Sequence, residues 1–289
     1  MRFVTSVVGG FALGGTFALI ALGLVLAFRA TKVFNFAQGE LILLPAFIIG
    51  YSEAHHVSLA LSLTLAFVIN AFIGVLFYVA ILNRTTNLPL FMGIFATLGM
   101  AAILDGVMGI VFQAGSYQVV IPGTPQGSVF IFRAGVSKES LFLAILTVVL
   151  AAVVAGVIRF THIGLSITAA GQNSLLASQC GLQVRRLHTA AWGVAAVLAA
   201  VAGIAYAATT SASASMLSLG LAALPAIVLG GMDSIEGAVV GGMIMGIVDG
   251  FAATYLGGQY VDVVTYGLLL VFLLVYPQGL FGSKEVVRA

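Results

Sequence analysis

The sequence predicts an all-α polytopic membrane protein of about eight or nine transmembrane helices, some short or discontinuous, with a short external β-hairpin and one cytosolic helical segment. Three observations predict it. Hydrophobic residues make up 61% of the 289-residue chain and charged residues 7%, far below the roughly 25% charged residues of a soluble domain. The apolar residues fall into nine runs, at 4–28, 41–51, 58–82, 90–112, 140–158, 189–210, 217–232, 237–256 and 263–276. Most approach the roughly 20 residues that cross a bilayer as a helix. The few Lys and Arg residues stand at the ends of these runs and form no patch, and with a net charge of +2 nucleic acid is excluded as a partner.

The first run follows a single basic residue, Arg2, and is too long for the apolar core of a signal peptide, so it reads as a retained span. Gly10 and Gly14 share one face of it. The second run is short. The stretch before it, TKVFNFAQGE, sets Asn35, Gln38, Gly39 and Glu40 directly against apolar residues, where a carboxylate wants a partner. Between 113 and 138, apolar and polar residues alternate around Pro122, Gly123, Pro125 and Gly127, the pattern of a short hairpin with a turn.

The interval 159–188 is the longest mostly polar or small-residue stretch between two long apolar runs. It begins with Arg159 and ends with Arg185, Arg186 and His188, and basic residues beside spans mark the cytoplasmic side. Alternating sides from there puts Arg29, Lys32, Arg84, Arg159, Arg185, Arg186, Lys284 and Arg288 inside. Arg2, Arg133 and Lys138 remain outside, with an external N-terminus. The one cysteine, Cys180, falls in the cytosolic interval, where thiols stay reduced.

The seventh run is also short, and GGMDSIEG at 230–237 separates it from the eighth. Polar, glycine-broken segments at corresponding places in two halves point to discontinuous helices beside a transport pathway. Cytosolic turns are the alternative reading of both. Beyond them Gly242, Gly246 and Gly250 recur at every fourth residue, a smooth face for a neighbouring helix.

The residues exclude several chemistries. Gly-Lys-Ser and Gly-Lys-Thr are absent, so the chain lacks the phosphate-cradling loop of an ATPase. His55 and His56 are adjacent and suit a loop cap, and no His, Cys, Asp or Glu cluster has metal-ligand spacing. The chain reads as non-catalytic, with no cofactor of its own. Asp105 and Asp249 lie in apolar runs and Asp262 at a span edge, and an acid in a span lines a pathway or reaches the interface. Asn70, Gln113 and Tyr255 are weaker candidates that suit interhelical hydrogen bonds equally well.

Five stretches carry a family resemblance: VFNFAQGELILL (33–44), GQNSLLASQCGLQVRRLH (171–188), AAVAGIAYA (199–207), LGGMDSIEGAVVGGMIMG (229–246) and YPQGLFG (276–282). Together they resemble the LivH-type permeases of branched-chain amino acid ABC transporters over nearly the whole chain. The resemblance implies one transmembrane permease domain, 1–289, in a bacterial inner membrane. It also implies a second, LivM-like permease subunit, two cytosolic ATPases that hold the ATP and Mg, and a periplasmic substrate-binding protein. The coupling helix that docks into the ATPase would lie in 169–186, with Ala169, Gly171, Asn173, Ala177, Gly181, Arg185 and Arg186 as its contact or turning residues. Thr168, Ala169 and Gln172 depart from the Arg-Ala and acid-Asn pattern common there.

The leading expectation is therefore the permease subunit of an ATP-binding cassette importer for branched-chain amino acids or related small polar, amide or carboxylate solutes. An ion-driven secondary transporter using Glu40, Asp105 or Asp249, or a channel for a small solute, is the alternative. The segment 159–188 separates them, because a self-contained carrier or channel has no need of it.

Overall fold

A computed structural model of the chain describes residues 2–85, 89–113, 115–131 and 134–282. Arg133, Lys284 and Arg288 lie outside these described residues. The chain begins with α1 (Arg2–Thr31), α2 (Gln38–Ala54), α3 (Leu59–Phe77, continued by a π-turn at Tyr78–Leu82) and α4 (Leu90–Phe112). Strands β1 (Ser128–Ile131) and β2 (Ala134–Ser137) precede α5 (Lys138–Phe160), α6 (His162–Gln172), α7 (Ser174–Gln179) and α8 (Val184–Thr209). A 3-10 turn at Ala214–Leu217 leads into α9 (Ser218–Ala222) and α10 (Leu224–Gly230), then α11 (Ile235–Tyr255) and α12 (Val261–Val275).

Among the described residues, 7 helices are long and apolar enough to cross a bilayer. The remaining two apolar runs are the short ones. One forms α2, 17 residues with Pro45 inside, and the other is broken into the 3-10 turn, α9 and α10, with Pro225 at the start of α10.

The hairpin is present, at the later end of the stretch 113–138. β1 and β2 pair antiparallel from Ser128↔Ser137 to Ile131↔Ala134. The ladder therefore lies later than the Pro122–Gly127 region. Pro122 and Pro125 have no N–H to give to a ladder, and Tyr117 pairs instead with Ala212 in an isolated bridge.

The helices gather into two compact units. The first draws on residues 1–25, 124–155 and 222–289. Its central feature is a glycine seam between α1 and α11. A Cβ on Gly242 would lie 2.4 Å from the Ala18 nitrogen, one on Gly246 2.1 Å from the Gly14 nitrogen, and one on Gly250 2.6 Å from Gly10 Cα. Four-residue spacing keeps these glycines on one helix face, and their missing side chains let the two backbones touch.

In the same unit 230–237 is a tight helix–helix turn. Gly231 has a φ of 107°, and the Ser234 hydroxyl caps α11 by accepting from the Gly237 N–H at 2.9 Å. The YPQGLFG stretch clasps this turn: Leu280 N–H donates to the Leu229 carbonyl at 2.8 Å and Phe281 N–H to that of Gly230 at 2.9 Å.

The second unit draws on residues 26–123 and 156–221 and is built around α8. Alanines 195, 196, 199, 200 and 202 are buried along it, and small side chains let α2 and α3 approach closely. At one end, Tyr117 meets Ala212 and the Glu53 carboxylate accepts from the Val120 N–H. At the other, Trp192 Nε1 donates to the Thr31 hydroxyl at 3.3 Å and Gly171 sits against the Arg29 carbonyl. Every Lys and Arg of this unit (Arg29, Lys32, Arg84, Arg159, Arg185 and Arg186) belongs to that second end.

Candidate functional site

The polar stretch ahead of α2 enters the interior of the second unit. Lys32 ends α1 with a φ of 58°, its N–H bonding the Phe28 carbonyl at 2.7 Å, and residues 33–37 then run without helix. The side chain of Asn35 organises the turn: Oδ1 accepts from the Ala37 N–H at 3.2 Å while Nδ2 donates to Gln38 Oε1 at 3.1 Å. Thr97 of α4 supports it from the side, its hydroxyl accepting from the Phe36 N–H and bonding the Phe34 carbonyl, both at 3.3 Å. Asn35, Gln38 and Thr97 are all buried.

Asn70 then sets the depth at which α2 begins. Its Nδ2 donates to the Leu41 carbonyl at 2.9 Å and to the Ala196 carbonyl at 2.6 Å. Ala196 is at the middle of α8, so the first turn of α2 lies halfway along that span. A non-helical approach at such depth is tolerated only where protein satisfies its backbone, and Asn35, Thr97 and Asn70 do so here. Gly39 and Gly203 permit the fit. A Cβ on Gly39 would lie 2.3 Å from the Leu217 carbonyl oxygen, and one on Gly203 would lie 1.9 Å from that of Ile42.

Leu217 belongs to the broken 211–223 segment, and Gly220 of the same segment lies against Gly39. The discontinuity that meets the start of α2 is therefore this one. Its signal in the sequence is SASASMLS (211–218), a serine-rich opening to an apolar run, which hydropathy alone averages away. Ser215 and Ser218 are exposed, and the Ser218 hydroxyl donates to the Ser215 carbonyl at 2.8 Å.

The candidate pathway residues separate into two groups. Glu40 has a buried Oε2 with no hydrogen-bond partner among the described residues, and Asp105, exposed on α4, lies within its electrostatic reach. Gly99, Gly106 and Gly109 on α4 face open space. Glu40, Asp105, Ser215 and Ser218 thus give the second unit an exposed or half-buried polar set on helices otherwise clad in apolar side chains. Asp249 belongs to the first unit, where it is buried and accepts a hydrogen bond from the Thr265 hydroxyl of α12.

The segment 159–188 forms two short helices. α6 is anchored, since Ile167 packs in an apolar cluster with Leu26, Ala30 and Ala191, and Ala170 is buried. Gly171 is held inside this anchored helix: a Cβ there would lie 1.7 Å from the Arg29 carbonyl oxygen. Asn173 ends α6 and caps α7, its Oδ1 accepting from the Leu176 N–H at 3.0 Å. Gly181, with a φ of 83°, makes the turn towards α8. Ala169 is half-buried, Ala177 is buried and Arg185 and Arg186 are exposed. Outward, α7 exposes Leu175 (67%) and Leu176 (57%) beside the polar Ser174, Ser178 and Gln179.

Seven long apolar helices, with the start of α2 set among them halfway along α8, are the architecture of a multi-pass membrane protein. A family model described as branched-chain amino acid transport system / permease component matches residues 6–274, and the chain belongs to that family. It is 26% identical to the high-affinity branched-chain amino acid transport system permease protein LivH of Escherichia coli over 304 residues, covering 100% of this chain and 98% of that protein. BraD of Pseudomonas aeruginosa, described in the same words, is 25% identical over 306 residues, 99% of this chain and 98% of its own. A probable LivH of Methanocaldococcus jannaschii is 28% identical over 283 residues, 91% of this chain and 88% of its own. These relatives are permease subunits, and this chain is a transport subunit and not an enzyme.

Proposed function

We propose that the chain is the membrane-spanning subunit of an ATP-binding cassette importer in a bacterial inner membrane. It forms, with a second LivM-like permease, the pathway for branched-chain amino acids or related small amide and carboxylate solutes. A periplasmic binding protein delivers the solute, and two cytosolic ATPases hold the ATP and Mg. The observation that carries this reading is α7, which offers Leu175 and Leu176 outward at the end where every Lys and Arg of its unit gathers. Basic residues mark the cytoplasm, and apolar side chains offered there on an anchored helix fit a protein partner.

In this reading ATP-driven movement of the partner shifts α7, α6 carries it through its anchor to α1 and α8, and the half-depth start of α2 is where the solute passes. Alternating access then amounts to a small rigid-body shift at that start. The relatives' printed substrate supports branched-chain amino acids as cargo. The test is co-purification of the solubilised chain with ATPase subunits, before and after Leu175→Asp and Leu176→Asp. Retention of two ATPases by the parent and loss in the double variant is the expected outcome. A chain that migrates alone and moves solute in vesicles free of ATP would sink the proposal.

A further inference from the structure

The outward surface of α4 is of two kinds. At about 100° of rotation per residue, the exposed residues of its later half fall on two flanks. One carries Ile103, Val107, Ile110 and Val111, large branched side chains that suit lipid. The other carries Gly99, Ala102, Asp105, Gly106 and Gly109, all exposed, with Gln113 at its end. A Cβ added at Gly99, Gly106 or Gly109 would meet nothing within 4 Å.

Asp105 decides what this second flank can face. It stands seven residues before Phe112, two turns back along nearly the same line of the helix. Phe112 packs on Phe47 and Tyr51 of α2, with ring centroids 5.2 and 5.5 Å apart, and Thr97 meets the chain at Phe34 and Phe36 just ahead of α2. Asp105 lies between these two contacts, beside the opening turns of α2 and within electrostatic reach of Glu40. Those turns begin halfway along α8, so Asp105 is exposed near the middle of the membrane. An acid at that depth turns to a protein partner or to water and not to hydrocarbon. The small residues around it let a second backbone come close.

Charge selects the occupant. Every Lys and Arg of the sequence lies outside the nine apolar runs, so a second copy of this chain brings no cation to the level of Asp105. A twofold pair across the flank would set the same patch against itself and bring two Asp105 carboxylates into one interface, which like-charge repulsion disfavours. We propose that the small-residue flank of α4 seats a membrane helix of a different subunit, one that carries a cation or a hydrogen-bond donor opposite Asp105. The proposal rests on the importer reading and deepens it: the second permease docks on this flank and closes the pathway beside the half-depth start of α2.

The experiment co-expresses the tagged chain with the LivM-like permease of its own transporter, purifies it in detergent and quantifies the second permease retained. The parent retains it. Gly106→Leu with Gly109→Leu lowers retention at least about tenfold, and so does Asp105→Leu, which leaves the partner's donor unpaired. Purified alone, both variant chains keep the parent's melting temperature, since the flank is open in the chain by itself. Ile103→Phe with Ile110→Phe, which adds bulk to the other flank, retains the second permease as the parent does. Undiminished retention in either small-flank variant, or equal loss in the Ile103 and Ile110 pair, would overturn the proposal. So would a dimer of the chain alone that Gly106→Leu with Gly109→Leu splits, because a second copy would then be the occupant. A parent that retains no second permease sinks the importer reading and the docking with it, whereas retention that survives the substitutions overturns the docking alone.

Discussion

At the scale of single residues, the glycines of the segment 159–188 divide into two kinds. Gly171 has a carbonyl where a Cβ would go, so Gly171→Leu should lower the yield and melting temperature of the purified chain. Gly181 faces open space but holds a φ of 83°, which costs a residue with a Cβ about 1 kcal/mol. Gly181→Val should therefore leave a folded chain in which ATP is hydrolysed but uptake falls, as read by parallel ATPase and uptake assays. Both glycines look alike in the sequence, because the Arg29 carbonyl that distinguishes them is more than a hundred residues away. Asn70 makes the opposite case. It reads as one polar residue in an apolar run, and its two carbonyl partners appear only once α2 and α8 are brought beside α3. Asn70→Ala should cost about 1–2 kcal/mol of stability, measurable as a lowered unfolding midpoint in detergent. Glu40→Gln, by contrast, removes a charge with an unpartnered buried oxygen and should reduce uptake while leaving that midpoint unchanged.

At the scale of elements, the glycine faces of α1 and α11 were legible from spacing, since glycines four apart fall on one helix face, but that the two faces meet was not, because the helices are over two hundred residues apart in the chain. Gly246→Leu would force a side chain into the Gly14 backbone and should abolish accumulation of folded protein. Gly109→Leu on α4, where nothing lies within 4 Å of the added Cβ, should accumulate normally; comparing their size-exclusion profiles checks the contrast. Two elements were read less well, for physical reasons. Hydropathy measures composition and not depth, so the half-depth start of α2 and its meeting with 211–223 left only the traces TKVFNFAQGE and SASASMLS. The alternation within 113–138 announced a hairpin but not its register, which the prolines push towards the later residues.

For the whole molecule, charge placement carries most of what the sequence conveys about orientation. The end of the second unit that holds its six Lys and Arg residues is also the end where α7 lies. The central claim is that a cytosolic ATPase drives solute through this chain by way of α7. The most direct measurement is uptake of a radiolabelled branched-chain amino acid by vesicles containing the assembled transporter, with and without ATP, for the parent and for Leu175→Asp with Leu176→Asp. ATP-dependent uptake that the paired substitution abolishes, with the melting temperature of the chain unchanged, is the predicted result. Uptake that proceeds without ATP, or that survives the substitution undiminished, would contradict it.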